Sequence, residues 1–304
     1  MNLNAFKKVC QMTQKELKKY VGQQLTKTHS TIISADGFVY AQGEFPVLLV
    51  AHLDTVHKNL PTDIIYDANI GTVYSPQGIG GDDRCGVYMI FEVIKKFNCS
   101  VLFCEDEEIG AVGAEKFIDT KLARELIGTF NYIIEFDRKG SNDAVFYDCE
   151  NTEFEEFITE EFYSYAWGSF SDISYVAPFL KCAAVNLSCG YYDAHTLKES
   201  VVIPDMEASI KAACNILSKT TDEDKFEYIE APKRSKTHYF DDYYGDYYDE
   251  YCSNYYLFEY MDKNKDVQWY DCTAKNKEEA IGIFCVAHPE VSYRDIIDIN
   301  VDAY

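Results

Sequence analysis

His52 and Asp54 stand two positions apart at the end of VLLVAHLDTV, a spacing with chemical consequences. Side chains two positions apart on an extended chain point the same way, so the carboxylate can stand beside the imidazole. A neutral imidazole is a good Zn²⁺ ligand, and a neighbouring carboxylate fixes its tautomer and raises its basicity. Four further segments offer ligands of the same kind. They are Gly81-Asp82-Asp83-Arg84-Cys85-Gly86, Asp106-Glu107-Glu108-Ile109-Gly110, Asp137 at the end of FNYIIEFD, and His195 in GYYDAHTLKES. Any one pair of acids reads as solvated surface charge. Jointly the five segments form a His-and-carboxylate set without Cys, which suits a catalytic metal better than a structural zinc.

Such a set works only if the fold brings the five segments together. The apolar run Val47 to Val50 reads as a buried parallel-type strand, within a strand over 46–53. VLFCE (101–105), FNYIIEFD (130–137) and CAAVNLS (182–188) read the same way. Helices are expected over 84–97, 113–126, 152–163 and 204–219, the last opening at Pro204-Asp205. Near the N-terminus, Thr13 and Glu16 form a capping-box pattern that opens a short helix. Hairpins are expected around Asp36-Gly37 and around Ala68 to Gly71. Strands alternating with helices predict a three-layer α/β sandwich with a largely parallel mixed central sheet. Ligands in such sheets collect at the C-terminal strand ends, where the candidate residues fall.

After residue 220 the composition shifts. Residues 221–263 read as a linker, first polar and then rich in Tyr and acid; that second part is a solvated segment or an interaction surface. Residues 264–304 read as a small β-α-β appendage with a helix from Glu278 to Ala287. The expected catalytic domain is therefore 1–220. Across all 304 residues the net charge is −23, which argues against nucleic acid and anionic membrane surfaces as partners. The 11 Cys are scattered without a close Cys-x-x-Cys pair, and no apolar signal region or spanning stretch is present. That combination predicts a cytoplasmic chain whose thiols are mostly small core residues.

In combination and order, AHLDTV, GGDDRCGV, CEDEEIGAVGA and GYYDAHTLKESVVIPDMEAS resemble the co-catalytic di-zinc exopeptidases. That superfamily includes peptidase T, carboxypeptidase G, acetylornithine deacetylase and related single-domain zinc aminopeptidases. GSFSDISYVAPFLKCAAVNLS is similar to the family's approach to its last His, and the resemblance covers roughly residues 1–220. It implies two zinc ions, with cobalt or manganese as substitutes. Asp82 would bridge them, His52 and Asp137 would complete one site, and Glu108 and His195 the other. Asp54 would orient His52, and Glu107 would be the general base. The residues alone leave Asp82 and Asp83 open as the bridge; the family pattern favours Asp82, four residues before Gly86.

The chain departs from peptidase T and carboxypeptidase G at one place. Those relatives carry a lid and dimerisation domain between the fourth and fifth ligand segments, whereas here only residues 138–194 are available. The expected architecture is therefore that of the single-domain aminopeptidases. An acidic, lidless pocket favours a cationic α-amine over a free carboxylate. The expected function is an aminopeptidase on short peptides, hydrolysing with a hydroxide held between the metals and Glu107 as base. A deacylase of N-acyl amino acids, a carboxypeptidase and an inactive binding module are the alternatives. Other residues have simpler readings. Arg84 and Arg138 could bind a substrate carboxylate, but pairing with the excess acid is favoured. Tyr191 and Tyr192 could donate to an oxyanion or pack in the core. His57 reads as a surface residue near the site mouth, and His29, His238 and His288 as structural or solvated.

Overall fold

Apolar runs without polar alternation bury on both faces, and here they build the centre of a sheet. The computed structural model describes residues 1–168, 170–231, 254–263, 267–274, 277–288, 291 and 296–303. They divide into two compact units, Met1–Ala231 and Pro232–Tyr304.

Eight strands of the first unit form one sheet. In spatial order they are β1 (Thr31–Ala35), β2 (Phe38–Gln42), β6 (Cys99–Cys104), β3 (Phe45–His52), β7 (Tyr132–Arg138), β10 (Ala184–Ser188), β8 (Asp143–Val145) and β9 (Ser164–Ala166). The central four, β6, β3, β7 and β10, are mutually parallel. β1, β2 and β8 join antiparallel, and β9 runs parallel to β8. The central C-termini therefore share one edge: His52 sits opposite Cys104, and Ser188 opposite Arg138 after a register shift. A smaller sheet of β4 (Ile65–Asp67), β5 (Thr72–Tyr74), β11 (Tyr191–Tyr192) and β12 (Ser200–Val202) includes the expected hairpin around residues 68–71.

Alternation along β3 makes the layers. Val47, Leu49 and Ala51 enter one apolar cluster with α1 (Leu3–Cys10), α2 (Gln14–Leu25), α3 (Gly81–Val93), α6 (Thr152–Thr159) and α8 (Ile203–Lys219). Leu48 and Val50 enter another with α4 (Val112–Ile118), α5 (Lys121–Glu125) and α7 (Ile173–Leu180). The result is the expected helix–sheet–helix sandwich. The Thr13–Glu16 capping box opens α2. The helix expected over 113–126 is two helices, because Asp119 caps the first and the Thr120 side chain accepts the Ala123 N–H of the second. Helices α1 and α7 were not expected; α7 carries Pro178 inside its last turn.

Residues 221–231 are not a linker. Phe226 donates its N–H to the Asn131 carbonyl, accepts the Ala183 N–H, and packs its ring on Tyr132 and Phe154. The expected break at 220 therefore falls too early, since an aromatic side chain anchors the segment that follows α8 to the core.

In the second unit, β13 (Asn254–Met261) lies between β14 (Val267–Ala274) and β15 (Ile296–Ala303), antiparallel to both, with α9 (Lys277–Ala287). The appendage is thus β-β-α-β, and the expected linker to 263 loses its last part to β13. Period-two burial of Tyr256, Phe258 and Tyr260 explains why: these rings form the core with Phe284. His238 and residues 238–253 of the Tyr- and acid-rich stretch lie outside the described residues. Among the described residues no helix is long and apolar enough to cross a membrane. Eight described cysteines are buried free thiols, in line with their reading as small core residues.

Candidate active site

Each ligand-type side chain sits at or just beyond the shared C-terminal edge of the sheet. His52 is the last residue of β3 and is fully buried. Its Nδ1 lies 3.1 Å from Asp54 Oδ1, the contact expected from their spacing. Asp54 also accepts the backbone N–H groups of Glu107 and Glu108, each at 3.0 Å. One carboxylate therefore ties the end of β3 to the 3₁₀ turn Glu107–Ile109 that follows β6. With Nδ1–H facing Asp54, His52 presents Nε2 to the other side. There it meets Asp82 Oδ1 at 3.0 Å and Asp137 Oδ1 at 3.4 Å.

Asp82 is divided between two imidazoles. Its Oδ1 faces His52, and its Oδ2 lies 3.2 Å from His195 Nε2. The same His195 nitrogen is 3.1 Å from Glu108 Oε2. The geometry thus brings together His52, Asp82 and Asp137 on one side and Asp82, Glu108 and His195 on the other. Asp82 and Asp83 are non-helical at the start of α3 and joined by a cis peptide bond. Asp83 also comes within metal-sharing distance of His52 and Asp137. Its two oxygens, however, already accept the N–H groups of His52 (3.2 Å) and Gly86 (2.7 Å). Asp82 has no such commitment of its carboxylate to the backbone, so it is the better candidate for a shared ligand.

The donor set fits metal ions. Ligands about 2.0–2.2 Å from one tetrahedral zinc stand roughly 3.3–3.6 Å from each other. The inter-ligand contacts here run from 3.0 to 3.4 Å, close to tetrahedral edges. Glu108 Oε1 is buried without a hydrogen-bond partner, an acceptor that a cation would satisfy.

The electrostatics follow from burying many acids in one place. Burial alone would raise Asp82, but hydrogen bonds from His195 and His52 outweigh it and hold its pKa well down. His195 is pushed up to about 11 by hydrogen bonds to Asp82 and Glu108. For His52, burial favours the neutral ring, yet Asp137, Asp54 and Asp82 together raise it well above the ordinary histidine value. Burial and the Asp82 charge lift Asp137 to about 7. Glu107 is raised to about 8, first by burial and then by Asp137, Glu108 and Asp82 against the opposing pull of His52. Protons on the imidazoles thus play the part of positive charge among these acids, and metal binding would release them.

Other side chains read from the sequence have different work. Arg84 is buried and, among the described residues, forms no ion pair. Its guanidinium donates to the carbonyls of Leu53, Asp54 (3.1 Å) and Met12 (3.2 Å), fixing the loop that carries Asp54. Arg138 pairs with Asp143. Tyr191 is buried and donates to the Asp137 carbonyl at 3.2 Å; Tyr192 donates to Asp205 at 2.6 Å. Neither is left free as an oxyanion donor. His29 bonds Thr28 and the Cys99 carbonyl, and His288 lies against Tyr260, both in structural roles. His57 is not at the surface: its side chain is buried against Glu199 at 2.6 Å. Three buried acids were missed altogether: Glu135, Asp172 and Glu199. Among the described residues of 138–194 no lid domain interrupts the fold; they carry β8, α6, β9, α7, β10 and β11 of the first unit.

No protein-family model and no curated protein sequence matches the chain. Solved structures do. Aminopeptidase PepT from Bacillus cereus superposes with a TM-score of 0.59 at 14% identity, over 71% of this chain and 96% of that one. An aminopeptidase from the archaeon Desulfurococcus kamchatkensis gives 0.56 at 13%, over 76% and 98%. A Zn-dependent exopeptidase from Parabacteroides distasonis gives 0.50 at 13%, over 70% and 94%. The chain therefore shares the fold of these aminopeptidases and this Zn-dependent exopeptidase, as the motif order implied.

Proposed function

We propose that the chain is a cytoplasmic metal-dependent exopeptidase, an aminopeptidase that hydrolyses short peptides. His52, Asp82 and Asp137 would hold one zinc ion, and Asp82, Glu108 and His195 a second. When bound, the ions would supply Lewis acidity to the scissile carbonyl and acidify water. The observation that carries this reading is the division of Asp82 between His52 and His195, one oxygen to each. A bridging carboxylate offsets the repulsion of two neighbouring cations.

The chain's own residues divide the remaining work. Asp54 keeps the His52 proton on Nδ1 and so leaves Nε2 as a lone pair. Glu107 takes a proton from the attacking water and returns it to the leaving nitrogen. Its backbone is held by Asp54, while among the described residues nothing hydrogen-bonds its carboxylate. The acids at the site favour a substrate terminus that is a cation.

The test uses the full chain and one short peptide with a free or an acetylated N-terminus. The free peptide should be cleaved, activity should disappear after chelation, and zinc, cobalt or manganese should restore it. Faster cleavage of the acetylated peptide would overturn the aminopeptidase reading in favour of a deacylase or carboxypeptidase. A zinc-loaded chain that cleaves neither would overturn the peptidase reading itself.

A further inference from the structure

We infer that Glu199 and His57 are positioning residues that hold the bridging Asp82 from its backbone side; the inference rests on the two-metal reading above. Glu199 is fully buried, one of few acids so enclosed among the described residues. Its Oε1 accepts the Asp82 N–H at 3.0 Å, and its Oε2 accepts the Gly80 N–H at 2.9 Å. Those two N–H groups flank Gly81, and Gly80 is left-handed (φ +65°). Left-handed turns of this kind point successive N–H groups into one anion-binding concavity. Here the anion comes from the chain itself.

His57 completes the arrangement. Its Nε2 meets Glu199 Oε2 at 2.6 Å, so that oxygen serves both the imidazole and Gly80. The ring is pressed against the same turn. A Cβ built on Gly78, itself at φ +83°, would come within 2.3 Å of it. With both oxygens engaged, Glu199 is neither a metal ligand nor a base. Its effect on the metals passes through the backbone of Asp82.

The placement along the chain gives this meaning. Glu199 lies four residues after His195, and Glu199 N–H bonds the Thr196 carbonyl, closing a turn between them. His195 touches Asp82 at its carboxylate and Glu199 holds it at its N–H. One short segment therefore grips both ends of the residue on which the two metal sites depend. The distance between His195 and the bridge is fixed locally rather than by the packing of distant elements. Outer hydrogen-bond partners of this kind typically change metal affinity 10–100-fold.

The experiment titrates Co²⁺ into full-length wild type and the variants E199Q, H57A and H57Q, reading the visible spectrum, the affinity and the melting temperature of the protein. Gln at 199 must set its amide NH₂ against a backbone N–H, so E199Q should bind cobalt about 10–100-fold more weakly with a shifted absorption. H57A leaves the buried carboxylate without its side-chain partner and should weaken binding by about 10-fold. H57Q keeps a donor and should restore most of that loss. If E199Q does not fold, the H57A and H57Q pair decides. Wild-type cobalt affinity and spectrum in H57A, or in a folded E199Q, would overturn the inference, even with a lowered melting temperature. A wild-type chain that takes up no cobalt would instead overturn the two-metal reading, and this inference with it.

Discussion

Asp54 shows how one side chain can join two tasks. It fixes the tautomer of a candidate ligand and, through two N–H bonds, sets the position of the candidate base next door. The acids around Glu107 push its pKa up to about 8, behind the larger effect of burial. Cations held by those same acids would reverse that push and leave Glu107 ionised near neutral pH. Its neutral isostere is therefore informative. Glu107→Gln should take up metal as the wild type does and lose at least about 10²-fold in turnover of the best substrate. Near wild-type turnover in that variant would remove Glu107 from the role of base. Asp82 and Asp83 teach a complementary lesson. They are adjacent and chemically identical, and the sequence leaves them open. What separates them is that Asp83 is occupied by the N–H groups of His52 and Gly86. One of those partners comes from a strand 31 positions earlier, which no local pattern reveals.

At the scale of elements, the close approach of α3 to β7 brings Asp82 near Asp137. Gly86 makes that approach workable. A Cβ there would come within 1.9 Å of the Phe136 carbonyl oxygen and 2.4 Å of Asp83 Oδ2. Neither a central strand nor a hydrogen-bonded carboxylate moves aside easily. Gly86→Ala should therefore destabilise the protein by about 3 kcal/mol, the upper end for overpacking, and weaken metal uptake together with it. A variant with unchanged melting temperature and metal affinity would show that the helix can retreat at little cost. The elements most legible in the sequence were the four parallel strands, because a strand buried on both faces has no polar alternation to confuse it. Of the candidate ligands, His52, Glu108 and Asp137 were legible because they come at or just after the ends of those strands. Helix α7 was not: Ile173, Val176, Ala177 and Leu180 bury at helical spacing, but Pro178 interrupts the pattern. Glu199, the acid against which His57 is buried, was missed for another reason. In a chain with 51 acids, a carboxylate reads as solvated surface, and only the folded backbone shows this one enclosed.

For the molecule as a whole, the two units have separate apolar cores: one built on Tyr256, Phe258 and Phe284, the others on residues before 232. A chain ending at Ala231 should therefore fold and keep metal binding, whereas one ending at Thr220 would lose the Phe226 anchor. Circular dichroism and metal analysis of both truncations would check this, and an unfolded 1–231 chain would tie the second unit to the stability of the first. The strand order has a last consequence, for the assembly of the protein. The candidate ligands are scattered from residue 52 to residue 195, and the site exists only where the ends of β3, β6 and β7 meet the start of α3 and the segment between β11 and β12. In an extended chain no two of the paired ligand segments are close enough to chelate. Metal capture would then be the closing act of folding rather than its seed, and bound ions would behave as a latch. Added zinc should leave the refolding rate unchanged while slowing unfolding, because contacts absent from the transition state act on unfolding alone. A refolding rate that climbs with zinc concentration would mean that the latch closes early, on a chain whose sheet is still being assembled.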